Sequence, residues 1–178
     1  MCSSDLKPVT LHQLTQPLKK LAVGSEWLLR RSGIGISNIW EMGGLVYGDD
    51  RAPHPNLQYH FAPVYSRWHG RRIQLEQGYV LQCDQLRPKS RGSVSLRSLD
   101  PHDRPLACFN YLREPQDLKE LIQGLRMMED LLNQKAFDEF RGARIEPTPG
   151  LDSDAALASW IRAHASTDYR SEEHTSEL

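Results

Sequence analysis

Leu57-Gln58-Tyr59-His60-Phe61 alternates apolar and polar residues one for one, and further along Tyr79, Leu81 and Cys83 set the same period of two across Tyr79-Val80-Leu81-Gln82-Cys83. Successive side chains of an extended chain point to opposite faces, so this period sets Leu57, Tyr59 and Phe61 on one face and marks half-buried strands. Val94 and Leu96 repeat the pattern in a third stretch. No helical pattern separates the three stretches, which favours an antiparallel sheet.

Working outward, the helices follow from a different period. Leu118, Leu121, Ile122, Leu125, Met128 and Leu132 fall on one stripe of a helix predicted from about Gln116 to Asn133. Pro115 suits its first turn, and Asp117 and Glu120 suit its positive end. Met127 and Met128 read as core filler. A shorter helix, Asp154 to Ala165, carries Leu157, Trp160, Ile161 and His164 at helical spacing behind a Ser153 or Asp152 cap. His164 on that stripe reads as a hydrogen-bonded core histidine. Ahead of the strands, Leu18, Leu21, Ala22, Trp27 and Leu28 predict an amphipathic helix over Pro17 to Arg31, ended by Gly33-Ile34-Gly35. Asn38 to Tyr47 is extended, with Gly43-Gly44 at a close backbone approach. The fold class is therefore α+β, an antiparallel sheet with helices flanking it.

Composition narrows the function. At 178 residues, 39% hydrophobic and 25% charged, the chain reads as one ordinary globular unit. A net charge of -1 supplies no concentrated positive field, so nucleic acid is not an expected partner. The basic runs Arg67 to Arg72 and Arg87 to Arg97 are then solvated faces or ion pairs. No apolar run approaches the ~20 residues of a bilayer span. Cys83 and Cys108 have no C-x-x-C spacing, which argues against a zinc site or a disulfide scaffold, and both read as buried reduced thiols.

Both ends of the chain resemble translated sequencing adapter. Arg170-Ser171-Glu172-Glu173-His174-Thr175-Ser176-Glu177-Leu178 reads back into AGATCGGAAGAGCACACGTCTGAACTC, and Cys2-Ser3-Ser4-Asp5-Leu6 into TGCTCTTCCGATCT. On that reading residues 1–6 and 170–178 are set aside from the fold, and about Lys7 to Tyr169 is the native segment of a longer protein.

No self-contained catalytic constellation emerges: there is no G-x-S-x-G elbow, no H-E-x-x-H and no metal-ligand cluster. Gly33-Ile34-Gly35 follows a helix rather than a strand and lacks the third glycine of a phosphate loop. Trp40-Glu41 stands out, because its apolar surroundings predict a buried carboxylate. Such a group is costly unless it pairs with a cation, either an arginine or a ligand cation held beside aromatic rings.

Ser37-Asn38-Ile39-Trp40-Glu41-Met42-Gly43-Gly44 and Pro55-Asn56-Leu57-Gln58-Tyr59-His60-Phe61 resemble the substrate domain of glucose-methanol-choline (GMC) oxidoreductases. Ser90-Arg91-Gly92-Ser93-Val94, Ser98-Leu99-Asp100-Pro101 and Phe109-Asn110-Tyr111-Leu112 extend that resemblance. It runs in order from about Lys7 to Tyr169, and the choline-oxidising members are the most similar. The resemblance implies an FAD-binding domain, absent from this chain, paired with a substrate domain built on an antiparallel sheet. It implies oxidation of the CH–OH group of choline to betaine aldehyde, with Glu41 facing the trimethylammonium group and Trp40, Tyr79 and Tyr169 as aromatic neighbours. In the family a catalytic histidine follows the position of Tyr169; Arg170 stands there instead, so the fragment alone is expected to be inactive and poorly soluble. The electron acceptor is left open. The place implied is the bacterial cytoplasm, with attachment to the inner membrane also open. Two rival readings are a family member acting on an uncharged primary alcohol and a binding module with no redox role.

Overall fold

The computed structural model describes residues 2–5, 10–49, 51–69 and 72–166. In chain order these form β1 (Cys2–Asp5), α1 (Pro17–Arg30), β2 (Met42–Val46), β3 (Leu57–Ala62), β4 (Tyr65–His69), β5 (Arg72–Glu76), β6 (Tyr79–Gln85), β7 (Ser93–Ser95), β8 (Leu106–Cys108), α2 (Pro115–Leu132), β9 (Arg141–Glu146) and α3 (Asp154–His164). Short 3-10 turns at Leu11–Thr15, Ile34–Ile36 and Lys135–Phe137 join them. The main sheet has the order β2-β3-β6-β1-β9, and each of its pairs is antiparallel. The β4-β5 hairpin and the β7-β8 ribbon stand apart from it.

The alternation in β3 and β6 does what its period dictates. Tyr59 lies opposite Cys83 and Phe61 opposite Leu81, so one face of the central strands is a continuous apolar surface. The α2 stripe covers it: Leu125, Met128 and Leu132 join Tyr59, Tyr79 and Leu81 in the core, and Leu157 and Ile161 of α3 complete it. Where α2 crosses, Gly124 lets the helix backbone approach the sheet, and the Tyr59 hydroxyl donates to the Gly124 carbonyl at 2.9 Å. The opposite face of the sheet is covered at one end, where Ala62 packs with Leu11 and Val64, flanked by Val80 and Ile34. Ser153 caps α3 by accepting from the Ala156 N–H at 3.2 Å.

Several expectations are corrected. The helix at Pro17–Arg30 forms, but no residue of it is buried, and Leu18 and Leu29 are 83% and 80% exposed. The helix meets the short 3-10 turns at Leu11–Thr15 and Ile34–Ile36, and its leucine stripe stays exposed. Val94 and Leu96 are also exposed, because β7 pairs only with β8 and never enters the main sheet. Cys108 sits on that ribbon and is exposed, whereas Cys83 lies under α2. His164 is exposed too: its ring stacks on Trp160 at 4.6 Å and its Nδ1 meets the Trp160 carbonyl at 2.8 Å. Residues 2–5, set aside from the fold above, form β1, which lies between β6 and β9 and pairs Cys2 with Val80 and with Glu146. Backbone hydrogen bonding places that strand, and it makes few demands on side-chain identity.

Candidate functional site

Trp40 and Glu41 enter β2 from a strained turn. Ile39 holds φ at 75°, a region that a β-branched residue seldom adopts, and its N–H donates to the Ser37 hydroxyl at 3.1 Å. Four residues on, a Cβ at Gly43 would lie 2.7 Å from the Tyr59 carbonyl oxygen, so only glycine lets β2 pair so closely with β3. That approach brings the Trp40 indole edge-on to the His60 ring, with centroids 5.9 Å apart and planes at 74°.

His60 points to the face of the sheet that α2 does not cover, as the alternation with Tyr59 and Phe61 requires. There its Nε2 lies 3.2 Å from Oδ2 of Asp84 on the neighbouring strand β6. The two side chains are 14% and 20% exposed, enough to be reached from outside while largely out of water. Gln82, directly opposite His60 in the register, holds a buried side-chain oxygen with no hydrogen-bond partner. Behind the strand, burial pushes the Cys83 thiol up to about 12, and the Asp84 charge adds to the rise. The thiol is therefore no nucleophile at neutral pH.

Of the four residues expected to line a substrate pocket, the structure joins two. Trp40 and Glu41 are adjacent, but Trp40 is 43% exposed and Glu41 is on the surface rather than buried in apolar surroundings. Apolar neighbours in sequence do not bury a carboxylate when nothing is stacked over them. Tyr79 lies on the other face, 3% exposed, with its ring 5.7 Å from Phe61 and 5.9 Å from Phe137. It is a core aromatic, placed there by the same parity that placed Leu81. Tyr169 lies outside the described residues.

A cavity of about 750 Å³ opens between β6, α2, α3 and the ribbon, and reaches Gln82 and Asp84. Two stacked ring pairs flank it, Phe109 on Tyr111 at 5.2 Å and Trp160 on His164. Its apolar wall is Leu121, Leu125 and Met128 of α2. Neither His60 nor Asp84 was singled out from the sequence, because nothing local joins them. They meet only through the register of β3 on β6.

The uncovered face thus gathers acceptors, the exposed carboxylate of Glu41 and, beneath the surface, the Asp84 carboxylate and the buried Gln82 oxygen, with Trp40 alongside. Such a surface suits a ligand that brings a positive charge or hydroxyl donors. Among the described residues no group of three or more His, Cys, Asp or Glu side chains is placed to hold a metal ion, nor is any helix long and apolar enough to cross a membrane.

Known proteins share this architecture. The family model described as GMC oxidoreductase, for the C-terminal domain, matches residues 88–174. The oxygen-dependent choline dehydrogenase of Serratia proteamaculans is 37% identical over 163 residues, 92% of this chain and 29% of that protein. The one from Paraburkholderia phymatum is 38% identical, again over 92% of this chain and 28% of its own length. The chain therefore spans about 30% of the length of these curated relatives. Among solved structures, formate oxidase of Aspergillus oryzae superposes with a TM-score of 0.73 at 20% identity, over 90% of this chain and 33% of that one. The fold is the same, and the sequence relationship to the dehydrogenases spans nearly the whole chain. The chain belongs to the GMC oxidoreductase family and carries a part of its C-terminal domain.

Proposed function

We propose that this chain is the substrate-facing part of an FAD-dependent enzyme that oxidises the CH–OH group of choline to betaine aldehyde. The observation that carries the reading is the acceptor-rich sheet face beside Trp40 and Glu41, left uncovered by α2. Its chemistry suits a quaternary ammonium alcohol, and the relatives named above act on choline by their names.

This chain does not itself fit the pyrophosphate of FAD. Its single Gly-x-Gly, Gly33-Ile34-Gly35, follows a helix, and a side chain at Gly33 would meet the Glu26 carboxylate, a charge that repels phosphate. The flavin, which supplies the hydride acceptor, is held by the portion of the enzyme beyond this chain. The residues present here bind and orient the substrate. Glu41 faces the fixed positive charge and Trp40 contributes an aromatic wall, together offsetting part of the loss of water around the cation.

Exchanging Glu41→Gln in the full-length enzyme keeps the shape and removes the charge. KM for choline should rise by about tenfold, equivalent to about 1.4 kcal/mol, with kcat little changed. KM for the all-carbon isostere, in which a tert-butyl group replaces trimethylammonium, should stay within about twofold. Equal losses on the two substrates would mean that Glu41 is structural and that the enzyme serves an uncharged alcohol.

A further inference from the structure

The apolar stripe of α1 is turned away from the molecule. At 3.6 residues per turn, Leu18, Leu21, Leu28 and Leu29 fall within an arc of about 100°, and all four are exposed. Val23 and Trp27 lie on the opposite side of the helix, where a Cβ added to Gly35 would stand 3.3 Å from a carbon of each. The helix is thus seated on the Ile34–Ile36 turn by its far face, and its leucines point outward.

Charge decides what that face meets. Lys19, Lys20, Arg30 and Arg31 are exposed along α1 and at its C-terminal cap, with Arg31 held 4.6 Å from the Trp27 ring centroid. Against these four bases the helix carries one acid, Glu26, whose carboxylate accepts from the Ser32 hydroxyl at 3.3 Å. Lysine is depleted where protein covers protein. Leucine on one side of a helix, with lysine and arginine around the rest, suits the boundary between acyl chains and anionic headgroups. The 14 residues of α1 span only ~21 Å, short of a bilayer core of about 30 Å, so such a helix lies along the surface and does not cross it.

We infer that α1 docks on a bilayer containing anionic phospholipid, with its four leucines among the acyl chains and Lys19, Lys20, Arg30 and Arg31 drawn to the headgroup phosphates. The inference does not depend on which alcohol the enzyme oxidises.

The test uses the full-length enzyme and vesicles of phosphatidylethanolamine with phosphatidylglycerol. The enzyme should sediment with them. Replacing the phosphatidylglycerol by phosphatidylcholine, or raising salt from about 0.1 M to about 0.5 M, should lower its partition by at least about tenfold. Exchanging Lys19, Lys20, Arg30 and Arg31 for glutamine should do the same. Leu21→Ser with Leu28→Ser removes apolar contact instead: partition should again fall about tenfold or more, with Tm in solution little changed because both side chains already stand in water. An enzyme that stays in the supernatant, that binds phosphatidylcholine alone as well and at both salts, or that keeps its partition in the glutamine variant would overturn the inference. So would a Tm lowered by several degrees in the serine variant, which would show that these leucines are covered by another part of the enzyme or by a second copy of it.

Discussion

Gly124 shows how much one missing side chain determines. Glycine in a helix interior costs about 1 kcal/mol relative to alanine, so an exposed Gly→Ala exchange ordinarily stabilises. Here a Cβ would stand 2.5 Å from the Cys83 sulfur and 3.1 Å from a Leu57 methyl. Gly124→Ala should therefore destabilise, by about 1 to 3 kcal/mol, and lower Tm by several degrees in a thermal melt followed by circular dichroism. A higher Tm would show that α2 can lift off the sheet at no cost. Little of this was legible in advance. An isolated glycine inside a helical pattern signals only a weak helix position, and what it packs against depends on strands distant in sequence, as the bond from Tyr59, 65 residues away, to its carbonyl shows. The same holds for the site: Trp40 and Glu41 were legible as a pair, but their exposure, and the His60–Asp84 contact, are set by strand register.

At the level of elements, α2 is tied to the loop leading into β7 by Asp117 in its first turn. The carboxylate, 1% exposed, accepts from the backbone N–H groups of Lys89 and Ser90 at 2.8 and 2.7 Å, and from the Gln85 amide at 3.3 Å. Burial by itself would raise its pKa, but these bonds together outweigh that and hold it below the ordinary value of 3.8. A carboxyl depressed by folding stabilises the protein at pH values above its unfolded value, and that contribution fades as pH falls through the folded one. Asp117→Asn should thus cost about 1 to 3 kcal/mol at pH ~7. In urea unfolding the gap to wild type should narrow as the pH drops below about 4, the unfolded carboxylate range. A gap constant with pH would mean that the loss is one of shape and not of charge. Periodicity served the elements well where their partners lie in the sheet, as for β3, β6, α2 and α3. It failed for α1 and β7, because a period says which residues share a face and is silent on what lies against that face.

Across the whole molecule, apolar surface remains in view on a scale that a self-sufficient unit seldom tolerates. Leu18, Leu21, Leu28 and Leu29 of α1 are each at least 66% exposed, and Trp40, Met42 and Leu45 line the entry to β2. The isolated chain should self-associate in sedimentation velocity, with a weight-average coefficient that rises with concentration. Replacing the four α1 leucines by two lysines and two glutamates should return it to monomer. A wild type that sediments as a monomer at every concentration would refute this. The sheet also has an unusual seam. β1 draws on residues 2–5 and its neighbour β9 on residues 141–146, so the two flanks of that seam lie far apart in the sequence. Backbone bonds between strands so far apart in sequence close late in folding, and until they do β6 keeps an open side, exposed to any extended segment that reaches it first.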